Sequence, residues 1–490
     1  MIKNLFRILL VFGFAWNLFT SDVYGQDEPP LPDGLNEKGT NEIEEPDLPN
    51  GIINIEEESS DEPMIPEGLG EHSGPSLEKL SKEDEKASDL PFELTGYFET
   101  RGGLRTQRDP YEKDASIGET RLQVEMEKLW VQSSFKMTTD FLYDSVYDHH
   151  SIKLEEGKGW IDLRELNLFF SPLNSIDVKA GRQIMTWGTG DMLFINDLFP
   201  KDWKSFFIGR DTEYLKAPSD SIKVSVYTAP INLDIVYNPR FDADRFIDGT
   251  RISYWNNMLG RRSGEDVVLD IDKPDDPFDN DEISLRFFKN LSGYELALYG
   301  YRGFWKSPGG LDPATYAATF PKLSVYGSSV RGSVIDGIGN IEIGYYDTID
   351  DQDGTDPFMR NSELRVLLGY EQELKREFTV GVQYYIEYMM EYNNYQRNLP
   401  PGIIKADKDR HLITLRLTKL MMNQNFTLSL FSYYSPSDND AYLRPKVHYK
   451  IDDNWNFETG GNVFYGQDDH TFFGQFEKNS NVYIGLRYSF

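Results

Sequence analysis

The sequence predicts an all-β chain: a transmembrane, up-and-down antiparallel β-barrel of about 18 strands, preceded by an acidic region too polar to fold alone. Three observations lead there. Apolar and polar residues alternate with a period of two through most of residues 91–490. The connections switch between short turns and long polar loops. The last strand runs to a terminal aromatic, Phe490. A period of two with one apolar face means strands. In a barrel that face meets lipid and the other faces the lumen.

Composition narrows the class. The mean hydropathy is -0.53, yet the 490 residues include 29 Tyr and 31 Phe. Aromatic girdles beside a polar lumen and polar loops reconcile the two. With 0 Cys, disulfides and thiolate sites are excluded. A net charge of -31 argues against nucleic acid as a partner.

Residues 1–25 read as a signal peptide. Lys3 and Arg7 give the basic start, Ile8 to Phe19 the apolar run, and Val23-Tyr24-Gly25 the cleavage site. Residues 26–90 form an acidic, Pro-rich region with 20 acids against 4 Lys, or -16. Such a segment buries too little apolar surface to fold alone. It reads as a solvated periplasmic tail or as a docking segment for a periplasmic partner.

The barrel occupies 91–490. Its strands begin near residues 94, 119, 130, 160, 174, 220, 231, 281, 293, 322, 339, 361, 376, 410, 424, 440, 453 and 480. The alternation is clearest in Phe378, Val380, Val382, Tyr384, Ile386 and Tyr388. It recurs in Val482, Ile484, Leu486, Tyr488 and Phe490. Short turns include Thr228-Ala229-Pro230, Glu373-Leu374-Lys375 and Met421-Met422-Asn423; long loops span 240–280, 304–321, 349–360, 390–409 and 466–479. This asymmetry suits a barrel of the cell outer membrane, with lipid as its surroundings. A fixed repeat that would signal a propeller or β-helix is not visible.

After the fifth strand the alternation breaks. Val178 and Ala180 face lipid, and Arg182 would follow them, so a glycine bulge at Gly181 is expected to re-aim the strand. Residues 184–215 then mix apolar, aromatic and charged side chains without a strand period. The expectation is a constriction segment folded into the lumen. Arg182, Asp191, Asp197, Lys201, Asp202 and Arg210 would be its polar wall groups, and Trp187 and Trp203 its stacking platforms. Strand parity points Arg121, Arg416, Arg444, Lys446 and Arg487 inward as a basic stripe, which would favour anions. Glu99, Glu125 and Glu458 lie close enough to turn that stripe into a salt-bridged ladder.

The run Gly181-Arg182-Gln183-Ile184-Met185-Thr186-Trp187-Gly188, with the stretch to Trp203, resembles the porin-like outer-membrane proteins related to the alginate-export porins. The motif covers about residues 181–203; beyond it the likeness is one of architecture. The resemblance implies passive transport, often export, through an 18-stranded barrel. The acidic region departs from that pattern.

Enzyme signatures are weak. The six His form no H-E-x-x-H spacing and no G-x-S-x-G elbow occurs. The acidic loops 270–276 and 347–354 miss the EF-hand pattern and read as solvated loops, so no metal or cofactor is expected. The leading reading is a porin or export channel for an unknown solute, small or polymeric, with anions among the candidates. The alternatives are a non-transporting barrel that recruits partners through 26–90, and a membrane-embedded hydrolase.

Overall fold

The computed structural model describes residues 91–147 and 151–490. The expected signal peptide, the acidic region and the pair His149-His150 lie outside the described residues.

Eighteen strands form one closed antiparallel sheet. They are β1 (Glu93–Arg105), β2 (Ala115–Trp130), β3 (Ser133–Asp144), β4 (Ile161–Leu173), β5 (Ile176–Gln183) and β6 (Ser219–Val226). There follow β7 (Asn232–Asn238), β8 (Glu282–Leu291), β9 (Tyr294–Phe304), β10 (Lys322–Val334), β11 (Gly337–Thr348) and β12 (Glu363–Lys375). The last six are β13 (Phe378–Met389), β14 (Asp409–Met421), β15 (Phe426–Ser435), β16 (Asp440–Lys450), β17 (Trp455–Gly466) and β18 (Asn481–Ser489). Each expected strand start falls within four residues of the observed one.

The barrel closes between β1 and β18, in register from Tyr97↔Ser489 to Arg105↔Asn481. Gly96 and Phe490 extend the seam by exchanging N–H···O bonds of 3.1 and 3.0 Å. The terminal aromatic is thus the last paired residue, and the sheet has no open edge.

The faces are inverted relative to a water-soluble protein. On β11, Ile341 and Ile343 are 47% and 40% exposed, whereas Glu342 between them is 0% exposed. Leu364 and Leu368 on β12 and Val382 on β13 repeat the outward apolar pattern, while Gln383 and Tyr385 are buried inside. An apolar outside around a charged inside makes this a membrane-spanning barrel.

One stretch of wall is low. β5 and β6 have 8 residues each and β7 has 7, against 16 in β2 and 12 in β3. Each has one end at the short-turn side, so these three stop partway up. The chain therefore leaves β5 at Gln183 inside the barrel's height. The expected bulge at Gly181 is not there: the ladder runs straight through Gly181↔Ser221, and the shift across β4 and β5 falls between Phe170 and Leu173. Gly181 answers a different need. Its φ is 122°, and a Cβ there would sit 2.3 Å from the Leu166 carbonyl oxygen.

The gap above β5–β7 is filled by loops. Residues 239–281, read in the sequence as a plain polar loop, turn partly inward. Arg245 grips Asp162 at 2.8 Å and Asp202 at 3.3 Å. Arg251 pairs with Asp144 and donates to the Ser116 carbonyl, and Ile252 is fully buried. The arginines, each matched to a carboxylate on the wall, draw this loop into the barrel mouth.

Candidate functional site

The segment 184–218 connects β5 to β6 and meets strands around the lumen. Gly188, with φ 84°, makes the turn that aims the next backbone N–H groups at Glu342 on the far wall. Glu342 Oε2 accepts from Thr189 N at 2.8 Å, Thr189 Oγ1 at 3.1 Å and Gly190 N at 3.1 Å. Its Oε1 accepts from Asn196 N at 2.8 Å and Asn196 Nδ2 at 3.0 Å. A buried carboxylate is thus held by five uncharged donors, which supply the hydrogen bonds its burial demands.

Two wall glycines make room for this contact. A Cβ at Gly327 would lie 1.7 Å from Asn196 Oδ1, and one at Gly344 would lie 2.6 Å from Ile195. Asp191 pairs with Arg416 through two bonds, one of 2.6 Å, and its N–H donates to Gln383 Oε1 at 2.8 Å. Tyr433 Oη donates to the Met192 carbonyl at 2.9 Å. These anchors lie on β10, β11, β13, β14 and β15.

The segment then swings along the opposite arc. Asp202 caps a short helix, α1 (Trp203–Ile208), by accepting from Ser205 N. Phe206 and Phe207 on α1 pack edge-on against Tyr442 at 5.7 and 5.4 Å, and Phe207 against Phe464 at 5.1 Å. Beyond α1, Arg210 pairs with Glu119 on β2, and Arg101 and Arg444 donate to the carbonyls of Gly209 and Arg210. Tyr214 sits between the guanidinium groups of Arg121 and Arg164, 4.1 and 4.4 Å from its ring centre, and donates to Asp140 at 2.9 Å.

The expected site residues are sorted by this arrangement. Asp191 and Arg210 bridge the segment to the wall. Asp197 and Lys201 pair with each other at 2.9 Å, buried within the segment. Asp202 serves α1 and Arg245. Arg182 is no lumen group: it lies on the outer-face parity and donates to Leu163 O, Leu154 O and Asp220, bracing the low wall. Trp187 is buried against Phe199 at 4.9 Å and Tyr299 at 6.2 Å. Trp203 packs on Phe194 and donates to Asp244. The two indoles are packing groups rather than open platforms, because the segment needs an apolar core of its own to hold its shape.

The five basic residues all face inward, and each is engaged. Arg121 pairs with Glu119 and Asp140, Arg416 with Asp191, Lys446 with Glu458 at 2.6 Å and Arg487 with Glu99 at 2.8 Å. Arg444 bonds the Arg210 carbonyl and lies over the Phe206 ring at 4.5 Å. Of the expected acidic partners, Glu99 and Glu458 are used, while Glu125 pairs with Lys136 instead. Sequence reasoning missed Glu342, Gly327 and Gly344. Glycines in strand interiors mark close approach of another backbone, and that was the available signal.

No family model and no curated protein matches this chain. Solved structures similar to it include the Acinetobacter baumannii protein OccAB3, at 9% identity and TM-score 0.47, covering 81% of this chain and 99% of that one. A triple mutant of the Rhodopseudomonas blastica porin matches at 11% identity and TM-score 0.37, covering 81% and 100%. The neighbours are bacterial porins; the fold assignment itself rests on the strand ladder described above.

Proposed function

We propose that this barrel is an outer-membrane channel for passive passage of a solute, with segment 184–218 setting the conducting path. The observation that carries the reading is the docking of that segment across a charged lumen, on Glu342 and Arg416, inside a wall whose outer face is apolar. Around the segment the wall groups Arg121, Asp140 and Glu342 are shielded from water. The Asp191–Arg416 and Arg487–Glu213 pairs keep side chains that are partly open to it.

Planar-bilayer recording tests this. The purified full chain should give discrete conductance steps that grow when the segment is unpinned. Loss of the steps in both forms would remove the channel reading. The paired state of the basic residues supports weak charge selectivity. Export, which the resemblance at residues 181–203 implies, of an anionic polymer is the finer form of the proposal: a polyuronate added on one side should then block the steps reversibly, and its indifference would remove that form.

A further inference from the structure

The outward wall carries a set of connected polar side chains that transport leaves unused. Tyr384 on β13 and His411 and Asp409 on β14 share the lipid-facing parity of Val382 and Ile413, in registers Tyr384↔Ile413, Ile386↔His411 and Tyr388↔Asp409. Tyr384 Oη lies 2.6 Å from His411 Nδ1, and His411 Nε2 lies 2.8 Å from Asp409 Oδ2. The two ring planes are inclined by 22°, with centres 6.0 Å apart. A carboxylate on Nε2 keeps the proton there and leaves Nδ1 to receive the phenol proton. The main chain of His411 is pinned by Ser437, which accepts from its N–H at 3.0 Å, and by Ser435, which donates to its carbonyl at 2.9 Å.

A hydroxyl, a base within hydrogen-bond reach and a third group that orients the base form the arrangement of nucleophilic catalysis. Position names the substrate class. Toward mid-membrane the outer face beside Tyr384 is Val382 and Ile413; toward the rim it is Asp409, with Lys408 Nζ 4.8 Å over the Tyr388 ring. The boundary between apolar and charged surface is where the acyl esters of a leaflet lie.

We propose that Tyr384 and His411 form a lipid-facing catalytic pair that cleaves acyl esters of outer-leaflet lipids, with Asp409 as its positioning residue. Tyr384 Oη adds to the ester carbonyl carbon as its proton passes to His411. The bond to the lipid alcohol breaks, and the alcohol departs with the proton from His411. Water, giving a proton to His411, then adds to the tyrosyl ester; the fatty acid leaves and Tyr384 regains its proton. Ester and water become acid and alcohol, with no redox change.

The test uses the full chain in phosphatidylethanolamine vesicles, reading fatty-acid release. Tyr384→Phe and His411→Gln alter outward side chains and no ladder bond; heat-modifiable gel mobility checks that each barrel is folded. Each should lower release by ~10²-fold. Asp409→Asn should lower kcat and leave KM unchanged, since Asp409 acts through His411 rather than on the lipid. A phenol-reactive aryl sulfonyl fluoride should label Tyr384 faster than Tyr434, an outward tyrosine on β15. Release by the wild type no greater than by the folded variants, or equal labelling of the two tyrosines, would overturn the proposal. Conductance should be the same in all these forms, so this test stands apart from that of the channel.

Discussion

Glu342→Gln is the sharpest probe of the docked segment. The amide keeps the shape of the carboxylate but can offer only one acceptor oxygen. Placed at Oε2 it preserves the bonds from Thr189 N, Thr189 Oγ1 and Gly190 N, and its NH₂ then faces the two Asn196 donors. Two charge-assisted bonds are lost at about 1.5 kcal/mol each, and three fall to neutral strength at about 0.5 kcal/mol each. Relief from burying a charge offsets part of that. A net loss of about 3 kcal/mol remains, on the order of 10²-fold in the docked-to-released ratio. The barrel is spared, because the ladder bonds of this stretch to β10 and β12 are made by backbone. Single-channel recording should show a higher open probability or a larger step, with unchanged heat-modifiable mobility. Wild-type steps and dwell times in a folded Glu342→Gln barrel would refute the view that this carboxylate holds the segment.

Three further outcomes follow from the same geometry. Gly327→Val places a side chain where Asn196 Oδ1 now sits and should raise conductance as Glu342→Gln does; an unchanged trace would mean the recess is not needed. Arg416→Met removes the partly exposed partner of Asp191, worth about 1 kcal/mol, and should give a smaller conductance change that vanishes in high salt. In the loop before β2, burial pushes the Glu112 carboxyl up to about 8, only partly opposed by Arg105. With a folded value above the unfolded one, the native state holds the extra proton between about pH 4.5 and 8, so stability falls as pH rises through that window. Protection factors over 106–114, with the intrinsic pH dependence of exchange divided out, should fall from pH 6 to pH 9 in the wild type and stay level in Glu112→Gln.

The fold was legible because every strand carries its own signal. A lipid-facing strand must be apolar at alternate positions whatever its neighbours are, so eighteen starts could be found one at a time. Arg487 and Phe490 at the seam show this: parity and chain end sufficed to place both. The site was legible only as a region. That residues 184–215 break the strand period is a local fact, but what they touch is set by side chains far along the chain, as with Asn196 and Glu342, 146 residues apart. Trp187 and Arg182 were misread for that reason. A tryptophan beside glycines looks the same in sequence whether it is open to a solute or packed on Tyr299. The parity of Arg182 could be read, but not the low wall that gives it Leu154 and Leu163 to bond.

The two halves of the segment are held by different physics, and that difference sets which half yields. Residues 189–196 rest mainly on polar contacts that depend on geometry, the Glu342 carboxylate, the Asp191–Arg416 pair and the bonds of Gln383 and Tyr433, with Ile195 as their one fully buried apolar side chain. Residues 203–209 rest on Phe206, Phe207 and Ile208, all fully buried, at about 2 kcal/mol each for the apolar surface removed from water. Salt screens the partly exposed Asp191–Arg416 pair of the first kind and strengthens the second where the anion is excluded from protein surface. Opening should therefore begin beside β11–β14 while α1 stays packed on β16 and β17. Hydrogen exchange in sulfate at high ionic strength should speed the amides of 189–196 relative to those of 203–209. Equal acceleration of both halves would mean that the segment leaves the wall as one body, and Glu342 would then be one support among many rather than the point of release.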